Sequence, residues 1–344
     1  MQTKIFTAEL LERDKNALKE AADIIRQGGL VAFPTETVYG LGADATDATA
    51  AKKIYAAKGR PSDNPLIIHI ASPEDAELYA HTNELYYKLA RAFMPGPLTV
   101  ILPKKDTVPD SVTGGLDSVA IRCPSHPIAL NLISLAGVAI AAPSANLSGS
   151  PSPTCAQHVI SDLWGRVDMI IDGGPSEIGL ESTIVKITED SAILLRPGAI
   201  TCDALSCICQ SVEIAPAVTA HLADNERPLS PGMKYRHYAP SSPLVLLDGE
   251  DTAVTAYMKN ALATEKCIVI CYDDELEVLG ADSTISIGPR DDLAAQASAL
   301  FSALRQSNDM SADIIYAHLP TKDGLGLALY NRMIRAAAHT VKKI

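Results

Sequence analysis

MIIDGGPSEIGLESTIVKITEDSAILLRPG, residues 169–198, decides the fold. Three strands follow one another in it: MIIDGG (169–174), STIVKI (182–187) and AILLRPG (192–198). Strands in a run, without strict alternation with helices, favour a twisted mixed sheet over a doubly wound parallel one. Toward the N-terminus, LVAF (30–33), PLIIHI (65–70), LTVIL (98–102), SVAIRC (118–123) and VAIAAP (138–143) read as further strands. Residues 9–27, 48–58, 73–93 and 126–137 read as helices, closed by Gly28-Gly29, Gly59, Pro95-Gly96-Pro97 and Gly137.

Toward the C-terminus the character changes at about residue 201. PLSPGMKYRHYAPSSP carries four prolines and no hydrophobic period, so residues 205–241 read as a linker. Beyond it, PLVLLD (243–248), CIVICY (267–272), STISIG (283–288) and DIIYAHL (313–319) alternate with helical segments 251–263, 291–306 and 325–343. That order predicts a small parallel α/β domain, Rossmann-like, over 242–344. The expected organisation is therefore a first domain over 1–204, the linker, and this second domain, which suits a chain of 344 residues.

Composition removes several classes. The chain has 29 Lys and Arg against 41 Asp and Glu, a formal charge of −12. Acid exceeds base both in the first 205 residues and in the remainder. A broad nucleic-acid surface needs clustered cations, so none is expected; a local cationic pocket is not excluded. No apolar run reaches the ~18–20 residues of a membrane span, and the charged N-terminus has no leader-like apolar core. The seven Cys have no CxxC spacing and read as buried thiols of a reducing cytoplasm, not as disulfides or a zinc site. There is no P-loop and no G-x-S-x-G elbow. Gly40-Leu41-Gly42 with Ala45 only weakly imitates a dinucleotide fingerprint, because Pro34 breaks the element before it.

Polar residues concentrate at the ends of apolar strands. Pro34-Thr35-Glu36-Thr37-Val38-Tyr39-Gly40 follows LVAF; it is either a functional turn or one with capping hydroxyls. Lys58-Gly59-Arg60-Pro61-Ser62-Asp63-Asn64-Pro65 offers a point charge, a planar fork and amide and hydroxyl donors, suited to polyphosphate oxygens. A solvated basic loop is the competing reading. Pro143–Ser152 places Ser144, Asn146, Ser148 and Ser152 after a strand, as a phosphate cradle or a plain surface loop. His69 lies within a strand, where a satisfied core histidine is the ordinary case. Arg122 and Arg196 each close a strand, at a crevice or in a surface ion pair. Lys234-Tyr235-Arg236-His237-Tyr238 suits a nucleotide lid or a sticky linker patch.

Taken together, PTETVYGLG, KGRPSDNPL, PGPLTVIL, VAIRCP, APSANLSG, ESTIV, LRPGAI and SPGMKYRHYAP resemble the YrdC/YwlC family in order and spelling. The likeness covers about 12–202, continues through the linker, and includes GLGLALYNRMIRAA (324–338) of the family's smaller C-terminal domain. It implies an α/β catalytic domain with a concave cationic cavity. It also implies a nucleotidyltransferase that joins L-threonine, bicarbonate and ATP into threonylcarbamoyl-AMP and pyrophosphate. The product would pass to the machinery that builds threonylcarbamoyladenosine in tRNA. By the same resemblance, Thr37, His69, Arg122, the Ala142 backbone and Ser182 should hold threonine. Arg60, Asn64, Ser118, Ser144, Ser152, Arg196 and Tyr238 should hold ATP, with Lys58 and Arg60 as the catalytic cations. Mg2+ would accompany ATP without a dedicated protein cage. No side-chain nucleophile is required, consistent with the missing Ser-His or Cys-His arrangement. The alternatives are a carbamoyl-transfer relative, disfavoured by the absent CxxC pairs and additional modules, and a double-stranded RNA-binding module.

Overall fold

In the computed structural model, residues 2–7, 9–10, 16–220, 237–280 and 282–344 are described. Contacts divide the chain into two compact units. The first comprises Met1–Ser148, Ser152–Glu177 and Glu181–Lys234; the second comprises Gly149–Pro151, Ile178–Leu180 and Tyr235–Ile344.

The strands of the first unit are β1 (Lys4–Thr7), β2 (Val31–Phe33), β3 (Gly40–Asp44), β4 (Ile67–His69), β5 (Leu98–Pro103) and β6 (Ser118–Arg122). They continue with β7 (Ile140–Ala141), β8 (Met169–Asp172), β9 (Thr183–Ile187), β10 (Ser191–Arg196) and β11 (Ser211–Ile214). They form one sheet in the order β1-β8-β2-β3-β7-β4-β6-β5-β9-β10-β11. It is mixed, as the run of strands at 169–198 predicts: β9 and β10 pair antiparallel, whereas β5 and β9 pair parallel. One face is covered by the helices Ala17–Arg26 and Pro127–Ala136, whose Ala21, Ala22, Ile25, Leu132 and Ile133 pack with Val31, Phe33, Met169 and Ile171.

Several expectations need correction. Gly40-Leu41-Gly42 belongs to β3 and pairs antiparallel with β2, so it is no dinucleotide turn. The glycine at 42 has a packing reason: a Cβ there would lie 2.7 Å from Ile140 Cγ2 and 2.8 Å from Phe33 Cε1. The helix expected over 73–93 is two pieces, a 3-10 turn Pro73–Leu78 and a helix Glu84–Phe93, because the Asn83 side chain caps the second by accepting from Tyr86 N–H. The described start of the segment 205–241, read as linker, holds the end of a short helix Cys202–Ser206, strand β11 and a 3-10 turn Pro216–Val218. Cys123, Cys209, Cys267 and Cys271 are buried, but Cys207 is exposed.

The second unit contains β12 (Leu244–Asp248), β13 (Cys267–Cys271), β14 (Thr284–Ser286), β15 (Ile314–His318) and β16 (Val341–Lys343), ordered β14-β13-β15-β12-β16. Every pair is parallel. Val254, Met258 and Ala261 of the helix Asp251–Thr264 pack on Leu247, Val269, Cys271 and Tyr316. The helix expected over 325–343 stops at Ala336, and β16 follows. Among the described residues no helix is long and apolar enough to cross a membrane.

Candidate active site

Strand register assembles a row of polar side chains at one end of the first sheet. His69 and Arg122 are direct partners on parallel β4 and β6, and Thr99 pairs with Arg122 from antiparallel β5. Thr99 Oγ1 lies 2.7 Å from Ser182 Oγ, just before β9. Arg196 closes β10 and donates from Nε to the Ser182 carbonyl at 3.0 Å and from Nη2 to Ser182 Oγ at 3.1 Å. Residues scattered over 130 positions of sequence thus meet because their strands are neighbours.

The row is buried and charged, so its partners matter. Arg122, 4% exposed, forms an ion pair at 2.8 Å with Glu36, 5% exposed, from the turn after β2. Burial opposes the Glu36 charge, but the Arg122 guanidinium together with the backbone N–H groups of Glu36 and Ser125 holds the carboxyl below its usual range. Arg122 Nε also donates to the Gly96 carbonyl at 3.4 Å. Burial, and then the Arg122 charge, push His69 down to about 3, so its imidazole is neutral at pH 7. Phe33 meets that ring edge-on at 6.1 Å. Thr37 is fully buried, with Oγ1 2.8 Å from Thr35 Oγ1, and Thr35 donates to the Val38 carbonyl at 2.6 Å. The turn 34–40 is therefore both capped by hydroxyls and tied to the strand-end cation.

A second group gathers at the end of the helix Ala48–Lys58. Asp47 caps its start by accepting from Thr49 N–H at 2.7 Å, and Gly59 ends it in the left-handed region at φ 62. That reversal delivers Lys58 and Arg60 to different neighbours. The buried Lys58 ammonium donates to the Ser144 carbonyl and to the Asn146 carbonyl at 2.5 Å. Ser144 Oγ donates to Asn146 Oδ1 at 2.5 Å. Arg60 reaches the Asn64 and Pro65 carbonyls at 3.3 and 3.1 Å, and the Asn64 Oδ1 is buried with no hydrogen-bond partner among the described residues. Ala142, whose N–H donates to the Ile67 carbonyl at the opening of β4, precedes Ser144 by two residues, so this basic group lies toward the end of β4 opposite His69.

The remaining expected residues are placed differently. Ser152 is buried and donates to Glu181 at 2.6 Å. Ser118 opens β6 whereas Arg122 closes it, so the structure holds these two about 13 Å apart along the strand. Tyr238 belongs to the second unit; its ring lies 5.0 Å from that of Phe301, with the Arg332 guanidinium 5.9 Å from its centroid. Lys234, Tyr235 and Arg236 of the expected lid lie outside the described residues. Glu36 and Thr99 were not assigned from the sequence, and Asn146 was named only within a candidate phosphate cradle. Asn146 and Glu36 sit inside the quoted polar segments, but only the fold reveals that they hold Lys58 and Arg122.

Comparisons with known proteins identify the family. A family model for Sua5, YciO and YrdC, described as telomere recombination, matches residues 23–198. The chain belongs to the Sua5/YciO/YrdC family. A second model, for the C-terminal domain of threonylcarbamoyl-AMP synthase, matches residues 200–338, so the chain has the family's two-domain form. It is 45% identical to a threonylcarbamoyl-AMP synthase of Pyrococcus abyssi, over 95% of this chain and 96% of that protein. It is 44% identical to one from Bacillus subtilis, over 97% and 96%. The crystal structure of Pyrococcus abyssi Sua5 complexed with L-threonine superposes with a TM-score of 0.91, at 42% identity, covering all of both chains. A shorter threonylcarbamoyl-AMP synthase from Vibrio cholerae matches 47% of this chain over 90% of its own length.

Proposed function

We propose that this chain condenses L-threonine, bicarbonate and MgATP into L-threonylcarbamoyl-AMP, releasing pyrophosphate, for threonylcarbamoyladenosine synthesis in tRNA. The observation that carries the reading is the presence of two complementary polar groups at the two ends of the short strand β4. One is the buried row Thr37, His69, Arg122 and Ser182. The other is a basic group, Lys58 and Arg60, beside Ser144, Asn146 and Asn64. The family relatives and the threonine complex of Pyrococcus Sua5 support it.

The chemistry asks for positioning and charge neutralisation. Arg122 takes the threonine carboxylate with the donors that Glu36 leaves over. Neutral His69, Thr37, Ser182 and the Ala142 backbone contact the other polar groups of threonine. The threonine amine, after losing a proton, adds to CO2 derived from bicarbonate and forms a carbamate. A carbamate oxygen then bonds to the α-phosphorus of ATP, and the bond from that phosphorus to the β-bridging oxygen breaks, so pyrophosphate leaves. Lys58, Arg60 and Arg196 offset the charge on phosphates and carbamate. Asn64, Ser118, Ser144 and Ser152 provide polar contacts to the nucleotide, with Ser118, remote from Arg122, reserved for its far end. Tyr238 is assigned to ATP as well. An alanine variant of Pyrococcus Sua5 replaces an adjacent His-Tyr pair, and His237-Tyr238 is such a pair in this chain.

Among the described residues no three His, Cys, Asp or Glu side chains are grouped to hold a metal ion. Phosphate and water are therefore proposed as the main ligands of the Mg2+ that enters with ATP. The test is pyrophosphate release by the purified chain, with threonylcarbamoyl-AMP followed by mass spectrometry. Release should require threonine, bicarbonate and ATP together and should proceed without RNA. Release independent of threonine would overturn the assignment, and an absolute RNA requirement would favour a nucleic-acid role.

A further inference from the structure

The second unit carries ionisable side chains that the proposed reaction does not use. All its strands are parallel, so their carboxyl ends lie along one edge of the sheet. The connections after β12 and β13 lead toward the β14 side, and those after β14 and β15 toward the β16 side. Connections that diverge in this way leave a crevice at the carboxyl edge, where open α/β sheets bind their ligands. A cavity of 180 Å³ lies there, lined among others by Asp248 and Asp251 after β12, Tyr272 after β13, Arg290 after β14, and His318 at the end of β15.

Part of this lining is saturated and part is open. Arg290 pairs with Asp251 at 2.8 Å, Asp274 at 3.0 Å and Glu275 at 3.2 Å, and lies 4.6 Å over the Tyr272 ring. Glu275 is buried and takes the Nε2 proton of His318 at 2.9 Å. With Nε2–H committed to Glu275, Nδ1 is the ring nitrogen left for another partner. The Asp251 oxygen is 3.8 Å from it, too far for a hydrogen bond. His318 is 6% exposed, so a buried imidazole lines the cavity with one nitrogen unpaired among the described residues. The Asp248 carboxylate, also in the lining, has no ion pair or side-chain hydrogen bond among them.

The occupant follows from what is left over. Asp248, Asp251, Asp274 and Glu275 outnumber Arg290, an excess that repels phosphates and carboxylates. The cavity is smaller than the ~300 Å³ at which pockets for drug-sized ligands begin. No group among the described residues is arranged to hold a metal ion. A primary ammonium supplies a positive charge and three donors, for Asp248, Asp251 and Nδ1 of His318. We propose that the crevice of the second unit binds a small organic cation through its primary ammonium group.

Calorimetric titration of the full chain with ethanolamine and with putrescine tests this, with 1-propanol as the neutral control and MgCl2 as the metal control. Saturable binding of at least one amine is expected, with none of propanol. Asp248→Asn, which preserves volume, should weaken the amine by roughly tenfold or more, the loss typical of a charged hydrogen bond. Asp251→Asn should weaken it as well. Hydrogen exchange should slow on amine addition in peptides containing 248–251 and 318–321. Three results would overturn the proposal: no saturable amine binding in the millimolar range, amine affinity unchanged in both folded variants, or Mg2+ displacing the amine from the crevice.

Discussion

The two units place buried ions at sheet edges in different ways. In the first, a mixed sheet brings the cations that close β6 and β10 to one end, and each meets a partner from a neighbouring strand or loop. Arg122 has Glu36 and the Gly96 carbonyl, and Arg196 has Ser182. In the second, a parallel sheet gathers its ions at the carboxyl edge, where a single cation, Arg290, faces three carboxylates. The difference teaches that a mixed sheet and a parallel sheet can leave opposite charge in excess at the strand ends they gather. If the strand-end and basic groups of the first unit house the chemistry, substitutions there should remove activity, and substitutions at the carboxyl edge of the second unit's sheet should act mainly on stability.

The largest effect is expected at the helix end of the first unit. Arg60→Ala should lower threonine-dependent pyrophosphate release by about 100-fold or more, as removal of a preorganised charge-stabilising donor does. Lys58→Ala should do the same, with an added loss of order in the Ser144–Asn146 turn it holds. Steady-state assays on variants with native circular dichroism check both. Near-normal turnover in either would erase the functional contrast between the units.

Next in size is the buried pair. Glu36→Ala strands Arg122 without its counter-charge, and breaking such a pair by removing one partner costs about 3–5 kcal/mol. Urea unfolding should show that loss. Replacing both residues, as Glu36→Leu with Arg122→Met, should restore much of the stability but not threonine-dependent activity. A double variant as unstable as the single would mean that the pair is not what Glu36 contributes.

These cases show what was legible. The mixed sheet could be read at 169–198, because strand character there depends on local apolar runs and short gaps. The parallel order of the second unit could be read for the same reason. The register could not: that His69 faces Arg122 and that Thr99 reaches Ser182 depends on which strands become neighbours. Glu36 lay in a quoted motif without an assigned role, because a carboxylate's partner 86 residues away leaves no local signature. β3 escaped because its GLG has low strand propensity, and only its packing on Phe33 and Ile140 explains it. The helix over 73–93 failed at Asn83, where a capping side chain outweighs apolar spacing.

A smaller effect separates the units by pH. Glu275 in the second unit is opposed by burial, but its hydrogen bonds from His318 and Thr255 prevail and lower it from 4.5 to about 2. A carboxylate depressed in the folded state adds stability that is complete above its unfolded pKa and is lost as pH falls toward the folded one. The second unit should therefore weaken between about pH 4.5 and about pH 2. Hydrogen exchange of peptides from β13 and β15 measures this, and Glu275→Gln should flatten the dependence. A profile unchanged in that variant would assign the acid sensitivity to other carboxylates.

The smallest expected effect lies at Gly59, and it sharpens the comparison most finely. This residue sits at φ 62, and a Cβ built there meets nothing within 4 Å. An alanine thus clashes with no neighbour, and its cost is confined to the left-handed backbone, about 1–2 kcal/mol. The cost is met by the turn that carries Arg60 away from Lys58, so it should fall on the basic group and leave the second unit untouched. Gly59→Ala should lower global stability by about 1 kcal/mol in urea and raise the KM for ATP more than the KM for threonine. Gly59→Asn, whose side chain tolerates the left-handed region, should recover most of both losses. Equal changes in the two KM values would mean that the helix end positions the strand-end row as well, and that the two groups of the first unit behave as one.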